Sequence, residues 1–294
     1  MGEGIIPRVS SRRAGILWIV IAALLWSTGG IGIKGVVDPP LKVTFYRSVF
    51  AVGALFLLFG REVWGRRRWQ STPAFLAAIV CYGGCLTSFV IATKWTTAAN
   101  AIFLQYAGVI WVLLLSPIVL REPMRMRDVI AIGMAMAGMG LFFVGKFETR
   151  GMSGNAMALL SSFFFAGLIL SLRREHDAAG AAVTWGNVVL AVVLLPFVAH
   201  DLSLTPKSFG VLAFLGVFQL GIAYACFVRG LKHVTATQAS LTGMLEPVAN
   251  PIWVFLLLGE RPSAYAIAGG AIVLAAIAGH TIAGEPVTEI PPPD

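Results

Sequence analysis

Apolar residues in this chain gather into runs too long for the stripe of a soluble helix and too continuous for the alternation of a half-buried strand. Ten runs can be marked, near Ala14–Ile33, Val43–Gly60, Ala74–Thr93, Ala98–Leu120, Val129–Gly145, Asn155–Leu172, Ala181–Ala199, Phe209–Val228, Ala236–Leu258 and Ala264–Ile282. Each approaches the roughly 20 residues that carry a helix across a hydrocarbon core about 30 Å thick. The pattern predicts an all-α membrane protein of ten spans. The longest polar stretches are the first dozen residues and the tail from Glu285 to Asp294 with its Pro291-Pro292-Pro293 run. No soluble domain fits, and both ends are expected to be flexible. The first run follows Arg12 and Arg13 as a signal peptide would. It is long, however, reads Gly29-Gly30-Ile31-Gly32 through its end and has no small-residue cleavage site, so it is read as a retained span.

The pattern is written twice. Thr97-Ala98-Ala99-Asn100-Ala101 returns as Thr235-Ala236-Thr237-Gln238-Ala239, and the same displacement of 138 residues carries Lys94 onto Lys232, Gly83 onto Gly221 and Glu122 onto Glu260. Residues 1–150 and 151–284 are therefore read as two five-span repeats, with 285–294 as a cytoplasmic tail. Five is odd, so the second repeat is inverted relative to the first, the architecture of a carrier. Spans five and ten are rich in Gly and Ala, including Gly133, Gly138, Gly269 and Gly270. Small residues at helical spacing let backbones approach closely, which assigns these spans to packing within a monomer, with a homodimer contact as the alternative use.

Composition agrees: 57% of residues are hydrophobic, 12% are charged and the mean hydropathy is +0.83. The formal charge of +8 would suit nucleic acid, but its placement explains it otherwise. With a cytoplasmic N-terminus, fourteen Lys and Arg fall in inner segments, among them Arg8, Arg12, Arg13, Arg121, Arg125, Arg127, Arg173 and Arg174; seven fall outside. That asymmetry orients both termini to the cytoplasm, in a bacterial inner membrane, and leaves no call for a nucleic-acid partner. Arg66-Arg67-Arg68 is placed to touch anionic lipid heads. Cys81, Cys85 and Cys226 lie in spans and read as packing. No metal spacing, nucleophile elbow or phosphate loop is found, so no enzyme, metal or cofactor is expected. Glu122 and Glu260, each followed closely by Pro, are read as caps on the helices that follow them.

Of fourteen acidic residues, Glu246 alone falls at mid-span. About ten residues into span nine, it lies roughly 15 Å from either face at 1.5 Å per residue. A carboxylate there must be neutral, paired or facing a wet cavity. Gln238, Thr242, Glu246 and Asn250 recur at i+4 and form a polar stripe, whereas the equivalent positions of repeat one are mostly apolar. Arg47 is the basic residue inside a span, a candidate partner for a substrate carboxylate or for Glu246, although it could also snorkel. Aromatic residues gather at mid-depth: Trp26, Tyr82, Tyr106, Trp111, Phe164 and Tyr224. Such rings suit an apolar substrate body, with Gln105 and Gln219 meeting its polar end. Helical geometry turns Gln219 roughly 140° away from Tyr224, while Asn100 and Trp111 share a face.

Trp26-Ser27 in span one, Arg47 in span two, Glu246-Pro247 in span nine and the Gly259-Glu260-Arg261-Pro262 turn together resemble the EamA branch of the drug/metabolite transporter superfamily. Within it, the run Asn100-Ala101-Ile102-Phe103-Leu104-Gln105-Tyr106 followed by Trp111 is similar to the YddG-like exporters of aromatic and other neutral amino acids. The resemblance implies a carrier exporting such amino acids by alternating access, with another small metabolite or a drug as the alternative cargo and an intramembrane enzyme or a non-transporting scaffold as the remoter readings. Read from the residues themselves, Glu246, Arg47, Asn100 and Gln238 are the candidates for gating or coupling. Repeat one has Val109 where repeat two has Pro247, so no proline-based break is implied in span four.

Overall fold

The computed structural model describes residues 8–65, 72–142, 144, 151–258 and 263–283, and among them the regular elements are helical. Arg66-Arg67-Arg68, the end of the fifth run, the Glu260-Arg261-Pro262 turn and the tail lie outside the described residues. The helices are α1 (Arg8–Trp26), α2 (Gly29–Gly35), α3 (Pro40–Gly65), α4 (Pro73–Trp95), α5 (Ala98–Tyr106), α6 (Gly108–Val119), α7 (Met126–Leu141), α8 (Met152–Arg174), α9 (Ala179–Val198), α10 (Pro206–Phe214), α11 (Ala223–Leu231), α12 (Ala236–Gly243), α13 (Leu245–Leu258) and α14 (Ala264–Ile282). A π-helical stretch, Leu215–Ile222, joins α10 to α11.

Local chemistry sets many of these starts. Thr72, Thr97, Thr205, Thr235 and Ser263 each accept, through the side chain, the N–H three residues on. Pro73 and Pro206 follow two of them at the first helical position, where a missing N–H costs nothing. Thr97 and Thr235, the threonines that open the two copies of the repeat signature, are thus equivalent N-caps.

Among the described residues, eight helical segments are long and apolar enough to cross a membrane. Two further predicted spans are not among these eight. The fifth appears as α7, 16 residues within the described range. The ninth is broken into α12 and α13 around Met244. In that break Pro247 offers no N–H to the Gly243 carbonyl four residues earlier. Span four breaks at the equivalent place, between α5 and α6 at Ala107, without a proline. There a Cβ on Gly108 would lie 2.7 Å from the Ser162 carbonyl, so the chain bends where α6 presses on α8.

Helix ends reveal the symmetry. Lys42 meets Asp201 at one end of α3 and Glu62 accepts the Ala181 N–H at the other, so α3 and α9 run antiparallel. Asp128 meets His280 near one end of α7, while Gly138 abuts Gly269 further along, so α7 and α14 are antiparallel too. Both are pairs of repeat equivalents, and a helix antiparallel to its own equivalent requires a two-fold axis across the helices. The remaining large pairings, α4 with α8 and α1 with the π–α11 arm, exchange under that axis. The chain therefore folds as two inverted repeats whose helices interleave at the axis.

Candidate functional site

Polar side chains converge where the repeats interleave. From α3, Arg47 is 1% exposed, so it does not snorkel; its Nη2 donates to Gln219 Oε1 at 2.6 Å. Tyr82 of α4 accepts from Asn187 Nδ2 of α9 at 2.7 Å. The Tyr82 ring lies 4.9 Å from that of Tyr224, which is 5.1 Å from Trp26. Phe227 closes the group at 5.0 Å from Trp26. Arg47 lies within electrostatic reach of Tyr82, Tyr224 and Cys85, and Tyr224 within reach of Glu246.

Gln219 and Tyr224 therefore meet the same cluster, against the α-helical expectation that they point apart. The cause is the π-helical stretch, whose i→i+5 bonding brings residues five apart into line. The stretch also lets α3 approach: Cβ atoms at Gly216 and Gly221 would collide with Phe50 and Ala54.

The second half of the cluster lies at the paired helix breaks. The Tyr106 hydroxyl is 2.6 Å from the Gly243 carbonyl and 2.9 Å from Glu246 Oε2. Its contact with Gly243 fills the acceptor that Pro247 leaves open, and Glu246 sits in the first turn of α13. Arg47 and Glu246 thus take separate partners, Gln219 and Tyr106, and no ion pair joins them among the described residues. Gln105 donates to Ser161 Oγ at 2.8 Å and touches Cys85, which ties α5 to α8 and α4.

The other predicted residues make different contacts. Trp111 is 43% exposed and packs edge-on against exposed Phe163, on the outer surface of the bundle, whereas Asn100 is buried. Their expected common face assumed one continuous helix; the break at Ala107 turns α6 relative to α5. Phe164 covers Gly84 between α8 and α4. The polar stripe is divided by the break at Met244. Gln238 accepts from Arg12 at 3.1 and 3.2 Å, Thr242 is buried, Glu246 faces Tyr106, and Asn250 packs toward Gly30 of α2. Asn100 donates to Thr96 Oγ1 at 3.3 Å, near the start of α8.

Other contacts between helices were not expected from the sequence. Trp253 Nε1 donates to Ser27 Oγ at 2.7 Å across the break between α1 and α2. Glu122 does not cap the helix after it: its carboxylate takes Arg173 Nε at 2.9 Å and the Ala236 N–H at 2.9 Å, capping α12 of the other repeat. At the opposite end, Lys42 bridges to Asp201 at 2.8 Å. Donation from Lys42, then from Ser203, holds the Asp201 carboxyl well below the usual carboxylate range. That tie therefore stays charged at neutral and mildly acidic pH and is lost only as pH falls through the depressed value. Asn187, a lone amide inside an apolar run, was the one readable sign of its role; the others depend on distant contacts.

The profile of the EamA-like transporter family matches residues 13–144 and again 152–282. The pseudopaline exporter CntI of Pseudomonas aeruginosa is 26% identical over 273 residues, covering 90% of this chain and 94% of its own. The uncharacterized transporter YwfM of Bacillus subtilis is 28% identical over 274 residues, covering 88% and 90%. A crystal structure of 19% sequence identity superposes with a TM-score of 0.78, covering 94% of this chain and 97% of its own, a likeness of fold.

Proposed function

The chain belongs to the EamA-like transporter family, a multi-pass membrane transporter of small substrates, and from that premise we propose that it exports neutral amino acids with aromatic or bulky side chains, as the YddG-like exporters do. The observation that carries this reading is the buried group of Trp26, Tyr82, Tyr224 and Phe227 beside the Arg47 guanidinium. An apolar body fits the rings and a polar head fits the arginine. We place Gln219 in the site and leave Trp111 out of it. Gln105, Phe164 and Asn250 form its supporting walls, and Thr242 with Glu246 the floor at the break.

Transport would follow from rocking of the repeats about their shared axis. Asn100 and Gln238 stand at equivalent N-terminal turns of α5 and α12 and act as gating contacts toward opposite ends. Glu246 acts in coupling: proton loss alters the Tyr106 link between the two breaks. Both termini face the cytoplasm of a bacterial inner membrane, following the excess of basic residues on that side. The working unit is a monomer.

Counterflow in proteoliposomes against a panel of amino acids tests the cargo. Exchange is expected with phenylalanine, tryptophan, leucine or methionine and not with aspartate or lysine; no exchange with any neutral amino acid rejects the reading. A different small metabolite is the alternative cargo, since one relative carries the name of a pseudopaline exporter.

A further inference from the structure

Arg47 is the most completely buried cation of the described bundle, yet most of its hydrogen-bonding capacity is unused. One Nη2 proton goes to Gln219 Oε1, while Nε and Nη1 meet no acceptor among the described residues. The groups within electrostatic reach of it are Tyr82, Tyr224 and Cys85, with no carboxylate among them. A guanidinium sealed from water without a counter-charge carries a large desolvation penalty, which an anionic ligand would relieve. Its donors form a planar fork that matches a carboxylate in bidentate fashion, and with one proton committed to Gln219 a whole edge of the fork remains.

The surroundings extend the match. Trp26 Nε1 and Asn187 Oδ1 are also buried without a partner among the described residues; Trp26 is one of the aromatic group and Asn187 donates to another, Tyr82. Glu246, the one carboxylate near this group among the described residues, faces Tyr106 instead. The cluster thus offers a full charge to an anion and only neutral acceptors to a cation.

We infer that Arg47 is the recognition point for a substrate carboxylate, and that the site selects an apolar body bearing one carboxylate whether or not the molecule also carries an ammonium. The inference rests on reading the cluster between the repeats as the substrate site, and it reaches beyond amino acids to aromatic and branched monocarboxylates. Gln219 is the positioning residue: its amide oxygen holds the guanidinium by one Nη2 proton and leaves Nε and Nη1 without a partner among the described residues.

The purified full-length protein is tested by ligand-induced shifts in thermal unfolding with three probes: phenylalanine, 3-phenylpropanoate, which lacks the ammonium, and phenethylamine, which lacks the carboxylate. Phenylalanine and 3-phenylpropanoate are expected to bind within about tenfold of each other, and phenethylamine about a hundredfold more weakly or worse. Because Arg47→Gln can fail to fold, Gln219→Glu is the main variant. It gives Arg47 an internal carboxylate, so the unliganded protein should melt no lower than wild type while both carboxylate probes lose their shifts. A purely structural Arg47 would accept that glutamate and leave binding unchanged, which overturns the inference. Phenethylamine binding as well as phenylalanine, or no binding of any probe, overturns it as well. If 3-phenylpropanoate binds in an Arg47-dependent way but amino acids show no counterflow, the amino-acid reading falls and the carboxylate site stands.

Discussion

Tyr106 carries one hydroxyl proton and faces two acceptors, the Gly243 carbonyl and Glu246 Oε2. Both contacts are satisfied at once only if Tyr106 donates to Gly243 while a protonated Glu246 donates to Tyr106. Glu246→Gln keeps that pattern, since its amide also donates. It should therefore melt within a few degrees of wild type, while transport loses its response to an imposed proton gradient. Tyr106→Phe leaves the buried Gly243 carbonyl without its donor and the Glu246 hydroxyl without its acceptor, and should destabilise by about 1–3 kcal/mol. Thermal melts and gradient-driven flux on both variants check this: equal destabilisation by the two, or unchanged gradient dependence in Glu246→Gln, counts against the proton-sharing arrangement. Glu246 stood out in the sequence because a carboxylate at mid-span is rare. Its partner did not, because Tyr106 lies 140 residues away and resembles any other buried ring.

At the scale of elements, irregular helix decides which residues meet. The breaks at Ala107 and Met244 and the π-helical stretch each shift the angular register, and each undid an inference made with uniform helical geometry. The expected pairing of Asn100 with Trp111 failed at the first, and the separation of Gln219 from Tyr224 at the last. Close approach sets other contacts. A Cβ at Gly138 would sit 2.8 Å from the Gly269 carbonyl, backbone that cannot yield. Gly138→Leu should force α7 and α14 apart at a cost of about 1–3 kcal/mol or more, as overpacking does. The check is a lowered melting temperature in detergent, against Gly133→Leu as control, since a Cβ at Gly133 meets nothing within 4 Å.

At the scale of the molecule, each end of the bundle has an ion pair that crosses between repeats: Glu122 with Arg173 at one, Lys42 with Asp201 at the other. The first is buried, and Arg173 also donates to the Leu231 carbonyl at 3.1 Å, so it pins the α11–α12 turn against α8. Breaking a buried pair by removing one partner costs about 3–5 kcal/mol, enough to shift the balance between conformers. Glu122→Gln should therefore increase labelling, from the Arg173 side, of a cysteine placed near Tyr106 in a background with serine at Cys81, Cys85 and Cys226. The exchanged pair Glu122→Arg with Arg173→Glu should restore part of the protection. Unchanged labelling in Glu122→Gln would show that this pair does not hold that end shut.

Some of this architecture is written in the chain itself. Long apolar runs demand transmembrane helices because a bilayer offers no partner for free backbone groups, and the 138-residue displacement with its matched threonine caps demands two like halves. The charges inside spans, Glu246 at mid-depth and Arg47 nearer one face, are legible for the same reason: a charge within a span needs a partner or a wet surface. Which groups meet them was decided only by tertiary structure. Gln219 beside Arg47, Tyr106 beside Glu246 and Arg173 beside Glu122 are contacts between repeats. They depend on helix breaks, on a π-helical register and on the angle at which the halves interleave. Periodicity reports the face of one helix; it carries no information about what the opposing helix brings to meet it.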